Sequence, residues 1–193
     1  MPRWEADARA RLEAAAFALY SERGFDHTTV EDIAQRAGVT RRTFFRHFAD
    51  KREVLFGTGH REWFVMAAAV ESAPQGATAL EAVGLALEAL AAKLDAEGEV
   101  AVRRIRIVRA SPELWERQLI KFTALAEALA GALRARGVGD PAAILAAEAG
   151  VTAMRVATDR WIADPSEKSM LTVGKETLAA LREVASPSPR ATL

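Results

Sequence analysis

The chain has 193 residues, half of them apolar, which is enough to form one or two hydrophobic cores. Its 26 basic and 26 acidic side chains cancel, so any nucleic-acid surface must be local, and the lack of cysteine excludes disulfides, thiol catalysis and cysteine-ligated metals. No apolar run approaches the ~20 residues that span a bilayer and the amino terminus has no apolar signal region, which together favour a soluble, cytoplasmic protein.

Helices are predicted along the whole chain, because alanine and leucine abound, glycine and proline are sparse, and runs of β-branched residues are absent. The predicted fold class is therefore all-α, with about nine helices. Hydrophobic periodicity and capping residues place them at 6–23, 30–37, 41–47, 51–72, 78–97, 99–110, 112–136, 141–163 and 167–184. The last residues, 186–193, are predicted to be a disordered tail.

Predicted helix 2 begins after a threonine that can cap it. Thr29 offers a hydroxyl oxygen to the first backbone N–H groups, and Asp32 lies three residues later, where a capping-box contact back to the cap is expected. Gly38 follows the helix and supplies the left-handed conformation that ends it. The next helix therefore starts after a tight turn, which is typical of a helix-turn-helix.

Predicted helix 3 is too short to be stable alone, so its neighbours must anchor it. Thr40 caps it, and Phe44 and Phe48, four residues apart, are expected to bury their rings in the core. The helix contains no acidic residue, and its cationic positions are Arg41, Arg42 and Arg46. Arginine suits phosphates and guanine edges because its guanidinium donates two parallel hydrogen bonds. The alternative is a solvated basic helix end, but the caps, the glycine turn and the two anchoring rings together favour a DNA-reading helix.

From about residue 8 to residue 56 the sequence resembles the DNA-binding domain of the TetR family of bacterial transcriptional regulators. The residues that carry the resemblance are Tyr20 to Phe25, Thr28 to Val30, Ile33 and Ala34, Ala37 to Val39, Thr43 to Phe48, and Lys51. The resemblance implies an N-terminal three-helix DNA-binding domain over residues 1–52. It also implies a helical effector-binding and dimerisation domain over residues 53–185.

The resemblance further implies which side chains meet DNA. Arg41 and Arg42 lie where the family varies its residues to select an operator. Phe45 occupies a position that is often tyrosine, so the phosphate contact of a tyrosine hydroxyl is missing here. His47 lies where a histidine often meets a phosphate, and Lys51 opens helix 4, where both an ammonium and a helix N-terminus favour phosphate. The predicted DNA contacts are Thr28, Thr29, Thr40, Arg41, Arg42, Thr43, Phe45, Arg46, His47 and Lys51.

Predicted helices 8 and 9 carry more apolar surface than one chain needs. Helix 8 is rich in alanine, which lets another helix approach closely, and the apolar arc of helix 9 is too wide for one neighbour. We expect both to pair with those of a second copy in a four-helix bundle, as the resemblance also implies. The alternative is that both complete the core of a single chain. The predicted interface residues are Ala146, Gly150, Ala153, Leu171, Leu178 and Leu181.

The resemblance also implies a small-molecule pocket among predicted helices 4 to 8. The apolar candidates for its lining are Trp63, Met66, Trp115, Phe122, Met154 and Trp161. Three cationic candidates would favour a carboxylate or phosphate on the ligand: Arg103, Arg106 and Arg155. The alternative is that the apolar set is ordinary core and that the arginines form a solvated stripe paired with glutamates.

Together these features predict a ligand-responsive, DNA-binding transcriptional regulator. We expect a repressor that binds a palindromic operator as a homodimer, uses no cofactor, and is released by a small, largely apolar effector. An activator of the same fold and a helical scaffold that binds only protein remain as alternatives. An enzyme is disfavoured, because His27, His47 and His60 form no metal-binding pair and no nucleophile or phosphate-cradling motif is present.

Overall fold

The structure is a computed structural model that describes residues 3–56 and 59–185. Within these ranges every regular element is an α-helix, which confirms the predicted all-α class. The helices are α1 (Arg3–Arg23), α2 (Val30–Arg36), α3 (Arg41–His47), α4 (Glu53–Phe56), α5 (Gly59–Glu71), α6 (Ala79–Glu97), α7 (Glu99–Ala110), α8 (Pro112–Ala135), α9 (Ala142–Ala163) and α10 (Met170–Ala185). None of these helices, as far as the described residues go, is long and apolar enough to cross a membrane. The predicted tail, 186–193, lies outside the described residues.

The chain divides into two compact units. Unit 1 comprises Met1–His60 and Val102–Gln118, and unit 2 comprises Arg61–Ala101 and Leu119–Leu193. The sequence-based division assigned residues 53–185 to one domain, whereas unit 1 includes its first residues and a later segment. The later segment joins unit 1 because Ile107, Val108 and Leu114 pack into the same hydrophobic core as α1, α2 and α3.

Unit 1 is organised around the apolar stripe of α1. Leu12, Ala16 and Leu19 recur at helical spacing and are almost fully buried, together with Ile33 of α2 and Phe44 of α3. Burying a large apolar side chain stabilises the fold by about 1.5–3 kcal/mol. Four such groups, those of Leu12, Leu19, Ile33 and Phe44, therefore help to hold two very short helices in place.

Two ion pairs join α4 to the start of α8 inside unit 1. The Arg52 guanidinium donates to the Glu113 carboxylate at 3.1 Å, and Arg117 pairs with Glu53. Asp50 caps α4, since its Oδ1 accepts the N–H groups of Arg52 and Glu53 at 2.8 and 3.0 Å. The single helix predicted over 51–72 is described as two, α4 and α5, and the residues between them lie outside the described ranges.

Several predicted helix ends are confirmed. Thr29 accepts the Asp32 N–H and the Asp32 carboxylate accepts the Thr29 N–H, which completes a capping box. Gly38 has φ of +66°, the left-handed conformation expected of it. At the other end of the chain α10 begins at Met170 instead of 167, because the Asp95 carboxylate of α6 accepts the Met170 and Leu171 N–H groups at 2.6 and 3.0 Å.

A serine followed by a proline predicts a capped helix start, and at Ser111 the predicted cap is wrong. Ser111 precedes Pro112, the first residue of α8. Its Oγ, however, is buried and makes no hydrogen bond with any residue that the structure describes. The proline start alone marks this terminus, since Pro suits the first helical position and lacks the N–H that a cap would satisfy.

Unit 2 is built by close packing of α9 and α10 on α6. A Cβ atom added to Gly150 of α9 would lie only 2.3 Å from Val83 Cγ1 of α6, so the two helices meet at a position where only glycine fits. Near the same contact, Leu178 of α10 packs against Gly84. At the other end of the unit, the Arg136 guanidinium donates to three carbonyls, those of Glu71, Ala73 and Pro74, and so secures the C-terminal end of α5.

Candidate nucleic-acid interface

Helix α3 is held on the surface of unit 1 with one side buried. Phe44 is fully buried and Phe48 is 3% exposed, and their ring centroids are 5.5 Å apart. Thr40 caps the helix by accepting the Thr43 N–H at 3.2 Å. Because the two rings fix one side of so short a helix, the opposite side points to solvent as a defined surface. This arrangement confirms the predicted anchoring by the two phenylalanines.

The solvent side of α3 carries the predicted arginines, and they differ in their surroundings. Arg41 forms an ion pair with Glu31, whose Oε1 lies 2.9 Å from Arg41 Nη1, and the guanidinium carbon lies 5.3 Å from the centre of the Phe45 ring. Arg42 is exposed and forms no ion pair with the residues that the structure describes. Arg46 is also exposed. The surface therefore offers one oriented guanidinium, that of Arg41, beside one unpaired guanidinium, that of Arg42.

The four threonines of the predicted DNA-contact set have different positions. Thr28 is fully buried and its Oγ1 donates to the Gly24 carbonyl at 2.8 Å, so the expected contact between Thr28 and DNA is wrong. Thr29 and Thr40 are exposed at the N-termini of α2 and α3, where their hydroxyls already serve as caps. Thr43 is half-buried, and its hydroxyl lies 3.0 Å from that of Thr40. Thr29, Thr40 and Thr43 therefore remain accessible for a contact with DNA.

The ammonium of Lys51 points inward. Its Nζ donates to the carbonyls of Phe25 and Thr28 at 2.9 and 3.0 Å and lies 4.0 Å from the centre of the Phe25 ring. The Tyr20 hydroxyl donates to the Lys51 carbonyl at 2.6 Å, and burial, with a smaller effect of Asp50, raises the pKa of Tyr20. Lys51 therefore braces the turn before α2, and the expected phosphate contact by its ammonium does not match this geometry.

The two rings near the end of α3 complete the surface. Phe45 is 46% exposed, so an apolar ring is presented among the arginines. His47 is half-buried, and its Nε2 is buried without a hydrogen-bond partner among the described residues. Phe45 can pack on the sugar-phosphate backbone, whereas His47 can reach a phosphate only through a change in its own conformation.

A second charge network lies beside α3, at the N-terminus of α2. Asp32 accepts from Thr29 and pairs with Arg23 at 2.5 Å. These hydrogen bonds, first that of the Thr29 side chain, hold the pKa of Asp32 below its usual range. Arg23 is thereby fixed next to the α2 N-terminus, and sequence reasoning missed it because it precedes the turn. The ion pair between Arg23 and Asp32 joins the end of α1 to the cap of α2, and no pattern in the sequence predicts it.

The predicted dimer residues lie mostly inside unit 2. Gly150 meets Val83, and Ala153 and Leu178 are 4% exposed in the core. Ala146 and Leu181 pack against the same core, and Leu171 is half-buried. The expectation that Gly150, Ala153 and Leu178 contact a partner is wrong, because α6 covers that side of α9 and α10. The outer side of α9 instead carries the exposed Leu145, Thr152 and Val156 and the half-buried Ala149.

The predicted effector residues are divided between the units. Trp63, Met66, Phe122, Met154, Arg155 and Trp161 lie in unit 2, and Arg103, Arg106 and Trp115 lie in unit 1. Arg103 and Arg106 are exposed on α7, and the Trp115 ring lies 3.6 Å below the guanidinium carbon of Arg109. Within unit 2, Met66, Met154 and Trp161 are buried, and Trp63 and Phe122 are half-buried.

A cleft in unit 2 runs between α6, α9 and α10. It encloses about 290 Å³ of empty space, open solvent included, and is lined by Leu87, Met154, Met170 and Leu178. Glu88 Oε2 and Lys175 Nζ lie 3.5 Å apart among its lining residues. Because that volume includes open solvent, the enclosed part of the cleft is far smaller than the roughly 300–1,000 Å³ of sites for drug-sized ligands. Met154 alone belongs to the predicted effector set.

Unit 1 contains the elements of a known DNA-binding motif. A capped helix, a left-handed glycine and a second helix with a cationic outer side form a helix-turn-helix domain. Residues 12–57 match the family model described as bacterial regulatory proteins, tetR family. The helix-turn-helix part of the chain is therefore similar to the DNA-binding segment of this family.

Two relatives cover different lengths of the chain. The HTH-type transcriptional regulator TcmR of Streptomyces glaucescens is 32% identical over 134 residues, which cover 66% of this chain and 59% of TcmR. The HTH-type transcriptional repressor KstR2 of Mycobacterium tuberculosis is 43% identical over 47 residues, 24% of each chain. The chain thus aligns with less than two thirds of TcmR.

Solved structures agree with the fold over almost the whole chain. SmeT, the repressor of a multidrug efflux pump of Stenotrophomonas maltophilia, has a TM-score of 0.64 and 23% identity, and the match covers 92% of this chain and 91% of SmeT. At this identity the likeness concerns the fold alone.

Proposed function

We propose that the protein is a transcriptional repressor that binds a palindromic DNA operator as a homodimer in the cytoplasm. The observation that carries the proposal is the outer side of α3, where Arg41, Arg42 and Arg46 are all exposed while Phe44 anchors the helix. KstR2, to which 47 residues of the chain are similar, is named as a repressor, which supports repression over activation. An arginine on a helix that enters the major groove can donate two hydrogen bonds to guanine.

The DNA part of the proposal is tested by selecting bound sequences from random duplexes. The wild type is expected to enrich one palindromic sequence, whereas R41A with T43A is expected to enrich none. R134A is the matched control, since it also removes an exposed arginine, one that pairs with Asp140 in unit 2. Loss of selection by R134A, or unchanged selection by the double variant, would overturn the assignment of α3.

The dimer part of the proposal rests on the exposed side of α9. Leu145 is 65% and Val156 is 43% exposed, and they lie on one side of the helix with Ala149 and Thr152 between them. Apolar side chains aligned along one helix face favour burial against another helix. The occupant we propose is the same face of a second copy, because two recognition helices must be related by a two-fold axis to read a palindrome.

Light scattering tests this face directly. The wild type is expected to give twice the 20.9 kDa mass of the chain, and L145E is expected to give the single mass. I120E is the control, because Ile120 of α8 is 65% exposed, as Leu145 is, but lies on a different helix. A monomeric wild type, or a dimeric L145E, would contradict the proposed interface.

Release by a small apolar effector is the third part of the proposal. The side chains of unit 2 that are candidates to line an effector pocket are apolar and aromatic, and Trp63 and Phe122 among them are half-buried against the core. An effector changes operator affinity only if it binds one conformation of the protein better than the other. Triclosan is a suitable first probe, because a SmeT–triclosan complex is among the structures with this fold. The expected result is weaker operator binding as the probe is added, and binding of the probe without that change would refute its role as an effector.

A further inference from the structure

Glu31 is an unexpected residue at a DNA-facing surface. It occupies the first turn of α2, is exposed, and forms an ion pair in which its Oε1 lies 2.9 Å from Arg41 Nη1. A carboxylate in that place is repelled by phosphates, so it weakens attraction to DNA of any sequence. Its presence beside the first arginine of α3 therefore requires a reason other than affinity.

Stability supplies only a small part of the reason, because an exposed acidic residue in the first turn of a helix gains only a modest stabilisation from the helix dipole. The Glu31 side chain is 57% exposed and the Arg41 side chain 64% exposed. Ion pairs with that much exposure contribute little to folding because water and salt screen them. Thr29, Asp32 and the buried Ile33 already fix α2 without Glu31.

The pair instead fixes the orientation of one guanidinium. Arg41 is held at two points, by the Glu31 carboxylate and by the Phe45 ring 5.3 Å from its guanidinium carbon. Arg42, the next residue, has neither restraint within the described part of the chain. A long side chain that is already ordered loses less conformational entropy when it binds.

The same pair leaves donors available for a base. A guanidinium carries five N–H donors, and the ion pair with Glu31 lies at Nη1, so the edge formed by Nε and Nη2 can still donate two bonds to guanine O6 and N7. A phosphate that approached Arg41 would meet the Glu31 carboxylate as well. The geometry therefore favours a base edge over a phosphate as the partner of Arg41.

We propose that Glu31 is a specificity-determining positioning residue, which presents Arg41 to a guanine and disfavours its pairing with phosphate. This inference rests on the proposed DNA-binding function. Glu31 acts through Arg41 and need not touch DNA itself.

The test compares E31Q with E22Q. Both variants remove one negative charge from unit 1, and both break an exposed arginine pair, since Glu22 pairs with Arg36 at 2.5 Å. Each protein is used to select sequences from random duplexes, and its affinity is then measured at fixed salt for the wild-type selected duplex and for a scrambled duplex.

E31Q is expected to bind the scrambled duplex more tightly and to lose guanine preference at one base pair of each half-site. Its ratio of specific to non-specific affinity should fall about tenfold, the order of one well-oriented contact to a base. E22Q should keep the wild-type base preference and a ratio within about twofold of the wild type. An E31Q profile identical to that of the wild type would overturn the inference.

A double-variant comparison separates positioning from direct reading. In the R41A background, adding E31Q should change the base preference no further, because the group that Glu31 orients is gone. A further change at the same base pair would mean that Glu31 reads the base itself, which would also overturn the inference. If the wild type selects no sequence, the proposed function fails, whereas selection by the wild type with an unaltered E31Q profile removes only the role of Glu31.

Discussion

Replacing Gly150 by alanine tests how closely α9 packs on α6. The new Cβ would lie 2.3 Å from Val83 Cγ1, whereas carbon atoms in contact are ordinarily about 3.5–4.0 Å apart. Val83 is fully buried and, being β-branched in a helix, has one strongly preferred rotamer, so its methyl group cannot turn away. The helices must therefore separate by roughly 1 Å, and overpacking of this kind costs about 1–3 kcal/mol.

The helix propensity of alanine works in the opposite direction. Alanine stabilises a helix interior by about 0.8–1 kcal/mol relative to glycine, so G150A is expected to lose a net 0–2 kcal/mol, about 1 kcal/mol at the centre. G131A is the matched control, because nothing lies within 4 Å of the Cβ it would add to α8. G131A should therefore gain about 1 kcal/mol. The difference between the two variants isolates the packing cost.

Urea unfolding at one fixed protein concentration measures both variants, since dimerisation makes apparent stability depend on concentration. A third variant tests the cause. V83A removes the obstructing methyl groups, so V83A with G150A should be less destabilised than the sum of the two single changes by about 1 kcal/mol or more. The packing argument is refuted if G150A stabilises the protein as much as G131A does.

Other changes have equally definite outcomes. K51M leaves the carbonyls of Phe25 and Thr28 without their donor, so unit 1 should lose about 1–3 kcal/mol, seen as a lower urea midpoint. R136M removes the guanidinium that secures the end of α5 and should cost about 1 kcal/mol, read from the same unfolding curve, while R136K should recover little because one ammonium cannot reproduce the fork. For Asp32 the folded pKa is depressed, so its stabilising effect is present above the unfolded pKa and is lost as pH falls through the folded one. The melting temperature of D32A should therefore lie below that of the wild type at pH 7, and the gap should close below about pH 4; a gap that stays constant in acid would contradict this.

The features predicted correctly from the sequence are those that depend on contacts between residues close together in the chain. Thr29, Gly38 and Phe44 each act on residues within four positions of themselves, so the cap, the turn and the anchor could be read directly. The all-α class followed in the same way, because periodicity and capping are local properties of the chain.

Errors arose where partners are distant in sequence. Lys51 points to carbonyls more than twenty residues earlier, and the α10 N-terminus is set by Asp95, 75 residues before Met170. Gly150 was assigned to a partner chain because small residues allow close approach, but the sequence does not say which helix approaches. The buried side of α9 is decided by α6, and only the fold shows this.

Only the part of the candidate site that depends on local spacing could be predicted from the sequence. The outward position of Arg41 and Arg42 follows from the spacing of Phe44 and Phe48 on a short helix. The ion pair between Arg41 and Glu31 does not follow from that spacing, since it depends on the angle between α2 and α3. Residues that tune specificity through such cross-helix contacts carry no motif of their own.

The ratio of affinities for a selected duplex and a scrambled duplex tests the central claim most directly. Measured at about 150 mM salt, where non-specific attraction is reduced, this ratio should reach about 1,000 or more for the wild type. It should approach one for R41A with T43A, while the helical content and the mass in solution remain unchanged. A ratio near one for the wild type, or an undiminished ratio for the double variant, would contradict the claim that α3 reads DNA.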